Sequence, residues 1–305
     1  MRLLGNPTHF DFLGWRFISL GASWAVILVG FIAYFLLGGL NYGIDFSGGT
    51  LVQVKLEGAN DIGTIRQALT DGGIGSFSLQ AFGDADAHEF LISVGKSDEG
   101  TAVAGRSVST QVESVLKERF PNLVVRRVES VGPKVGAELK TAAFEAIFFS
   151  LLALLVYIWL RFEWRYSVGA IVATTHDVLI VLAALVFTQR EISLTVVAAV
   201  LTVAGYSVND TIVIFDRIRE FMRKYQKKDI VDTINDSINQ TLSRTLLTSG
   251  TTLFVVLAIY LFGGEIINDF AFALLVGIVV GTYSSIFVAA PVVYMLLQRF
   301  PTRLK

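Results

Sequence analysis

The hydrophobic pattern of this chain consists of six long apolar stretches separated by polar segments. They run approximately from Phe17 to Leu40, Thr141 to Leu160, Ser167 to Thr188, Ile192 to Phe215, Thr245 to Phe262 and Phe270 to Leu297. A helix needs about 20 apolar residues to cross the ~30 Å hydrocarbon core of a bilayer at ~1.5 Å per residue. Each stretch is long enough. The pattern therefore predicts six transmembrane helices, the first of them at residues 17–40 and the other five within residues 137–298.

Composition agrees with a chain that lies mostly in lipid. Hydrophobic residues make up 53% of the 305 residues and charged residues only 17%, which gives a mean hydropathy of +0.61. The formal net charge of −1 indicates no nucleic-acid partner. The chain has no cysteine, which excludes disulfides, thiolate metal sites and cysteine nucleophiles.

The orientation in the membrane follows from the basic residues of the short loops, because such loops resist translocation. Lys and Arg cluster at the N-terminus, between the second and third helices, after the fourth helix and at the C-terminus. The opposite side carries Arg190 alone, and residues 263–269 contain no basic side chain. We therefore predict that the N-terminal segment 1–16 and the C-terminal segment 299–305 are both cytoplasmic.

Residues 41–136 form a long polar segment that the same rule places on the extracytoplasmic, or periplasmic, side. Its pattern predicts strands at 50–56, 77–82, 89–94 and 123–129 and helices at 61–69 and 105–120. The order βαββαβ is typical of a ferredoxin-like sandwich. The expected fold class is thus an α-helical polytopic membrane protein with an inserted, ferredoxin-like α+β domain.

Asp210 is the strongest candidate for chemistry, because an ionisable side chain inside a span is costly and is usually functional. It lies six residues before Asp216, or about 9 Å inside the charged cytoplasmic boundary. Ser207 and Thr211 share its helical face. The alternative is that the fourth helix ends early and that Asp210 is interfacial.

Two further polar sites lie in predicted helices. Arg244, with Thr248 on its face, either pairs with Asp210 or extends to the lipid headgroups. His176 and Asp177 form a proton relay or a satisfied structural pair, and their spacing suggests no metal site.

Small residues mark packing and turning points. Alanine, glycine and serine recur every four residues in the last helix, at Ala273, Gly277, Gly281, Ser285 and Ala289, a stripe that permits close helix approach. At the two junctions of the soluble segment, the pairs Gly48-Gly49 and Gly132-Pro133 are predicted hinges.

Several motifs together resemble the SecF family of the bacterial Sec protein translocase, within the resistance-nodulation-division superfamily. They are Gly43-Ile44-Asp45-Phe46-Ser47-Gly48-Gly49-Thr50, Val131-Gly132-Pro133, His176-Asp177, Gly205-Tyr206-Ser207-Val208-Asn209-Asp210-Thr211, Asp216-Arg217-Ile218-Arg219-Glu220 and Arg244-Thr245 with Thr248-Ser249-Gly250-Thr251-Thr252. Ser47 replaces a threonine common in the first motif. The resemblance covers essentially the whole chain.

The resemblance implies a multi-pass protein of the bacterial inner membrane that works with SecD, the SecYEG channel and often YajC. Such complexes use proton flow, and no cofactor, to help pull preproteins outward. Asp210 and Arg244 match the acidic and basic residues assigned to the proton path, and Ser207, Asn209 and Thr248 join His176 and Asp177 as relay or structural candidates. It implies an accessory transport subunit and not an enzyme.

Three alternatives remain open from the sequence. One is a proton-coupled small-molecule efflux subunit of the same superfamily, although about 95 extracytoplasmic residues leave little room for a binding cavity. Another is an intramembrane protease that uses Asp177 and Asp210 as a carboxylate pair, although the Gly-x-Gly-Asp motif of presenilin-type enzymes is missing. The last is a purely structural scaffold.

Overall fold

The structure is a computed structural model that describes residues 9–56, 62–82, 88–95 and 102–300. In chain order its elements are α1 (Arg16–Leu36), α2 (Ile44–Ser47), β1 (Gly49–Lys55), α3 (Ile62–Asp71), β2 (Phe77–Phe82), β3 (Glu89–Val94), α4 (Ala102–Arg119), β4 (Val124–Val131), α5 (Pro133–Arg161), α6 (Trp164–Thr188), α7 (Leu194–Lys224), α8 (Ile230–Phe262), α9 (Asn268–Ser284) and α10 (Ala290–Arg299). Turns of 3₁₀-helix at Leu13–Trp15 and Glu265–Ile267 precede α1 and α9.

Six helical segments in the described residues are long and apolar enough to cross a membrane. They are Leu13–Leu36, Pro133–Arg161, Trp164–Thr188, Leu194–Lys224, Ile230–Phe262 and Asn268–Arg299. The predicted number of transmembrane helices is therefore confirmed. The chain divides into two compact units, one comprising Met1–Asn41, Ala146–Arg190 and Thr195–Lys305 and the other Tyr42–Glu145 with Glu191–Leu194.

The second unit contains a four-stranded antiparallel sheet in the order β2-β3-β1-β4. Side chains alternate between buried and partly exposed along β1 and β3, as expected when one face of a sheet is covered. Val52 and Ile92 from the sheet, Leu69 from α3 and Leu116 from α4 belong to one core. This is the ferredoxin-like arrangement predicted for the βαββαβ order.

The helix boundaries differ from the sequence pattern where special residues intervene. The first transmembrane helix ends at Leu36, and not at Leu40, because Gly38 and Gly39 adopt φ values of +85° and +97° that do not continue a right-handed helix. The second begins at Pro133 rather than Thr141. Proline suits the first position of a helix, where its missing N–H has no intrahelical partner to lose.

Two helices extend well beyond their apolar stretches. The fourth transmembrane helix, α7, runs on to Lys224, so the alternative in which it ends near Asp210 is wrong. The fifth, α8, begins at Ile230 rather than Thr245. At this start the Asp229 side chain accepts a hydrogen bond from the backbone N–H of Val231. The hydropathy pattern identifies only the apolar part of a helix, and it does not reveal the polar turns that extend the helix beyond that part.

The last transmembrane segment is interrupted by a π-helical turn, Ser285–Ala289, which the sequence pattern did not predict. Pro291 follows it and has no N–H to donate to the Phe287 carbonyl four residues earlier. The Ser19 hydroxyl of α1 lies 3.3 Å from that carbonyl as a donor. Missing backbone pairing is thus replaced by a contact between helices.

The two predicted hinge pairs lie in different surroundings. Gly48 and Gly49 have φ values of +70° and +147°, and a Cβ on Gly49 would be 2.5 Å from the Val94 carbonyl oxygen. Nothing lies within 4 Å of a Cβ built on Gly132, and Pro133 opens α5. The backbone needs glycine at the first pair, and a hinge role stays a prediction at both.

The segment just before Gly48 contacts the start of α7 within the second unit. The Asp45 carboxylate accepts a hydrogen bond of 2.9 Å from the backbone N–H of Leu194. The backbone N–H of Gly43 donates to the Ile192 carbonyl at 2.9 Å. An acceptor at a helix N-terminus satisfies a free N–H and opposes the helix dipole favourably. Asp45 therefore caps the helix that carries Asp210.

Candidate proton site in the helix bundle

The interior of the first unit contains polar side chains among apolar ones. Those that are buried include Thr174, His176, Asp177, Ser207, Asp210, Thr211, Ser249, Ser284 and Ser285. They come from α6, α7, α8, α9 and the π-helical turn. Polar groups without access to water require hydrogen-bond partners, and neighbouring helices supply them for Asp177, Asp210 and Thr211.

Asp210 lies on α7 and is only 4% exposed. The Ser249 hydroxyl of α8 donates a hydrogen bond of 2.9 Å to its Oδ2. Thr248 and Arg244 also lie on α8, and the Thr248 hydroxyl donates to the backbone carbonyls of Arg244 and Thr245. The carboxylate is therefore enclosed by protein at the contact between α7 and α8, well before the end of α7 at Lys224.

Arg244 is exposed and lines an open cleft of about 940 Å³ at the end of α7, together with Asn209. The basic side chains of this cleft are Arg161, Arg217, Arg219, Arg223, Lys224 and Arg244. Among the described residues, no ion pair within 4.0 Å joins Arg244 to Asp210. The guanidinium thus lies in the cleft, and the direct pair considered from the sequence is not formed in this structure.

Asp177 on α6 is fully buried and links three helices. Its Oδ2 accepts hydrogen bonds from the hydroxyls of Ser207 on α7, at 2.5 Å, and Ser284 on α9, at 2.7 Å. Its Oδ1 lies 2.9 Å from Nδ1 of His176. The carboxylate of Asp177 is therefore more thoroughly hydrogen-bonded than that of Asp210.

The small-residue stripe packs against α7 of the same chain. A Cβ on Gly277 would lie 2.1 Å from Cγ2 of Val203, and one on Gly281 would lie 3.0 Å from Cβ of Ser207. Ser285 continues the contact, because its hydroxyl is 2.9 Å from that of Thr211. The predicted packing role thus has an internal partner, and these glycines bring α9 close to α7, the helix that carries Asp210.

Two serines in these contacts were not assigned a role from the sequence. Ser249 falls inside the motif at 248–252, and its position four residues after Thr245 on the buried face is a usable signal. Ser284 precedes a residue of the small stripe, but the four-residue period selects Ser285 and passes over its neighbour. The π-helical turn that starts directly after Ser284 has no such signal.

The family described as Protein export membrane protein SecD/SecF, C-terminal, matches residues 111–299. The chain belongs to this SecD/SecF family. A second description, SecD/SecF GG Motif, matches residues 35–59, which include the Gly48-Gly49 pair.

Curated relatives in the SecD/SecF family match nearly the whole chain. Protein translocase subunit SecF of Rickettsia felis is 43% identical over 98% of this chain and 96% of its own length. SecF of Calditerrivibrio nitroreducens is 44% identical over 97% of each chain. SecF of Vibrio alginolyticus is 48% identical over 82% of this chain and 78% of its own.

A solved SecD/SecF-family structure shares the fold. The crystal structure of SecDF from Thermus thermophilus, described as a translocon-associated membrane protein, has a TM-score of 0.85 and 35% identity to this chain. The match covers 98% of this chain and 40% of that one, so the present chain spans about two fifths of SecDF. A SecDF structure in a super-membrane-facing form gives a TM-score of 0.70 at 36% identity, over 96% of this chain and 39% of that one.

These matches confirm the predicted fold class, the family and the function as a multi-pass subunit of the protein translocase. They do not support the efflux or protease alternatives. Within the described part of the chain, Asp177 and Asp210 bond to different serines and share no hydrogen bond. The roles of individual site residues stay predictions.

Proposed function

We propose that this chain couples the movement of protons to the late stage of preprotein translocation, with Asp210 as the proton-binding group. The observation that carries the proposal is the position of Asp210, 4% exposed at the contact between α7 and α8 and bonded to Ser249. A carboxylate in such surroundings loses a large hydration energy when ionised, and a proton removes that cost.

Arg244 is the group that changes the proton affinity of Asp210. When its guanidinium approaches the carboxylate, Coulomb attraction in a medium of low dielectric stabilises the ionised form. When the guanidinium lies in the cleft, as here, burial favours the protonated form. Relative movement of α7 and α8 therefore changes proton affinity, and each proton that crosses supplies ~2.3 kcal/mol per 100 mV.

The proposed setting is the bacterial cytoplasmic membrane, with both termini in the cytoplasm and residues 41–136 outside. The partner is SecD, which supplies the other half of the transporter, and the pair acts with SecYEG and YajC on preproteins. The low burial of α5 supports a partner that supplies the other half, because only 6% of the apolar window of α5 is buried within this chain, against 56% for α6. Lipid and the partner half cover the rest.

The test measures proton-dependent translocation of a preprotein in membrane vesicles. Asp210→Asn is neutral and of the same shape, so it should leave complex assembly intact and abolish the stimulation by proton-motive force. Arg244→Met should have the same effect. Asp232→Asn, an exposed carboxylate of α8, is the matched control and should retain stimulation. Full stimulation in Asp210→Asn would refute the assignment.

A further inference from the structure

Asp177 is a buried carboxylate that the Asp210 mechanism does not use. It is 0% exposed, lies in a transmembrane helix and has no ion pair with Lys or Arg among the described residues. Its contacts are the hydroxyls of Ser207 and Ser284 and the imidazole of His176. Three hydrogen bonds reduce the cost of burying a charge, but they do not neutralise it.

The charge of the His176 and Asp177 pair depends on one proton. An ionised carboxylate beside a neutral imidazole carries one negative charge, and a single added proton makes the pair neutral. Among the described residues, the side chains that contact the pair are those of Ser207, Ser284 and Tyr283, which carry no charge at neutral pH. The imidazole stacks on Tyr283, whose hydroxyl donates to the Ser19 carbonyl and contacts Ser23. A proton on the pair therefore removes its net charge from the apolar interior.

His176 has one free nitrogen through which such a proton can pass. Its Nδ1 lies 2.9 Å from Oδ1 of Asp177, whereas the buried Nε2 has no hydrogen-bond partner in the described structure. A proton that binds Nε2 allows the Nδ1 proton to pass to Oδ1. The product is a neutral imidazole, protonated at Nε2, beside a carboxylic acid, so charge and protons balance.

We propose that His176 and Asp177 form a second proton-binding site, which exchanges its proton through Nε2 of His176. Protonation changes the contacts between helices, because hydrogen bonds to an ionised carboxylate are roughly twice as strong as those to a neutral carbonyl. A proton on the pair therefore weakens the bonds of Asp177 to Ser207 on α7 and Ser284 on α9. Its relevance to export rests on the proposed function, whereas proton binding does not.

The position of Ser207 connects the second site to the first. Ser207 precedes Asp210 by three residues on α7, about 4.5 Å along the axis and on the same face. Ser284 ends α9 directly before the π-helical turn, and π-helical turns occur frequently at functional sites. Loss of proton from the pair thus tightens both helices around α6 beside Asp210.

The test is infrared difference spectroscopy of the protein in lipid bilayers between acidic and alkaline pH. Protonated carboxylic acids give a carbonyl-stretch band that carboxylates lack. Asp177→Asn should remove one such band, and Asp210→Asn should remove a different one. Ser284→Ala keeps both titratable groups and should change the pH at which the Asp177 band forms, because one donor to the ionised carboxylate is gone.

The second measurement follows the imidazole. The chain has three histidines, so ¹⁵N-histidine NMR of wild type and His176→Asn identifies the signal of His176. Its proton should move from Nδ1 to Nε2 over the pH range in which the Asp177 band forms. A purely structural pair would keep one tautomer throughout.

The outcomes separate this proposal from the proposed function. An infrared spectrum without a band that depends on Asp177, or a His176 signal with a fixed tautomer, overturns the second site even if Asp210→Asn abolishes proton-driven export. If both signals titrate while Asp210→Asn exports normally, the second site stands and the proposed function fails. Should Asp177→Asn not fold, Ser284→Ala and the His176 signal decide the question.

Discussion

Gly277 gives the sharpest prediction about packing in the bundle. An alanine there would place its Cβ 2.1 Å from Cγ2 of Val203 and 2.6 Å from Cγ1. Ordinary contacts begin at 3.4 Å, so the clash amounts to about 1.3 Å. Because Val203 is 1% exposed and has a stiff β-branched side chain, α9 must move away from α7 or Val203 must leave its rotamer.

The expected loss of stability can be worked out from the contacts along this interface. Overpacking of a core costs about 1–3 kcal/mol. A separation of about 1.3 Å would also break the 2.9 Å contact between Thr211 and Ser285, at a net cost of about 1 kcal/mol. Alanine regains ~1 kcal/mol through its better helix propensity. The free energy of unfolding should therefore fall by about 1–3 kcal/mol.

The assay is reversible unfolding of purified protein in mixed micelles. The matched control is Gly205→Ala on α7, where nothing lies within 4 Å of the added Cβ, and it should be neutral or stabilising. Val203→Ala creates space for the new methyl group, so the double variant should lose less stability than the sum of the single changes. Equal stability of Gly277→Ala and Gly205→Ala would refute the close contact.

Two further predictions concern polar contacts at helix ends. Arg190 bonds to Asn268, Asp269 and Tyr260, so Arg190→Gln should lower the free energy of unfolding by about 1–3 kcal/mol. Arg161→Gln breaks a half-exposed ion pair of 3.6 Å with Asp216 and should lower it by less than ~1 kcal/mol. Equal losses in the two variants would contradict this ranking. Asp45→Ala should accelerate hydrogen exchange at the first amide of α7 and lower the free energy of unfolding by about 0.5–2 kcal/mol. Asp45→Asn keeps an acceptor oxygen and should behave like the wild type. Unchanged exchange in Asp45→Ala would exclude the cap.

The sequence predicts most of the fold because its signals are local. Apolar length determines the six helices, and two-residue alternation determines the strands, two of which have the predicted bounds Phe77–Phe82 and Glu89–Val94. Helix ends are harder to predict from the sequence, since the polar turns of α7 and α8 carry no lipid-facing pattern. The π-helical turn before Pro291 is accompanied by a hydrogen bond from Ser19 of α1, a contact that exists only in the folded bundle.

The candidate site divides in the same way. Asp210, Asp177 and His176 are recognised because charge inside an apolar stretch is visible in the sequence. Their partners are not, because serines in transmembrane helices are common, and the contacts of Ser249 and Ser284 depend on how the helices are rotated against one another. The distance from Arg244 to Asp210 likewise depends on a side-chain conformation that spacing along α8 does not determine.

Because α7 is one continuous helix, a small rotation near Asp210 displaces its C-terminal end by a larger distance. Its 31 residues span about 46 Å, well over the ~30 Å of the hydrocarbon core. From Asp210 to its last residue, Lys224, the helix extends about 21 Å, so a rotation of about 5° around Asp210 displaces that end by about 2 Å. Ser249 binds Asp210 from α8, which is equally continuous at 33 residues. A rearrangement of one hydrogen bond at the carboxylate is thus magnified at the turn that joins the two helices, residues 225–229.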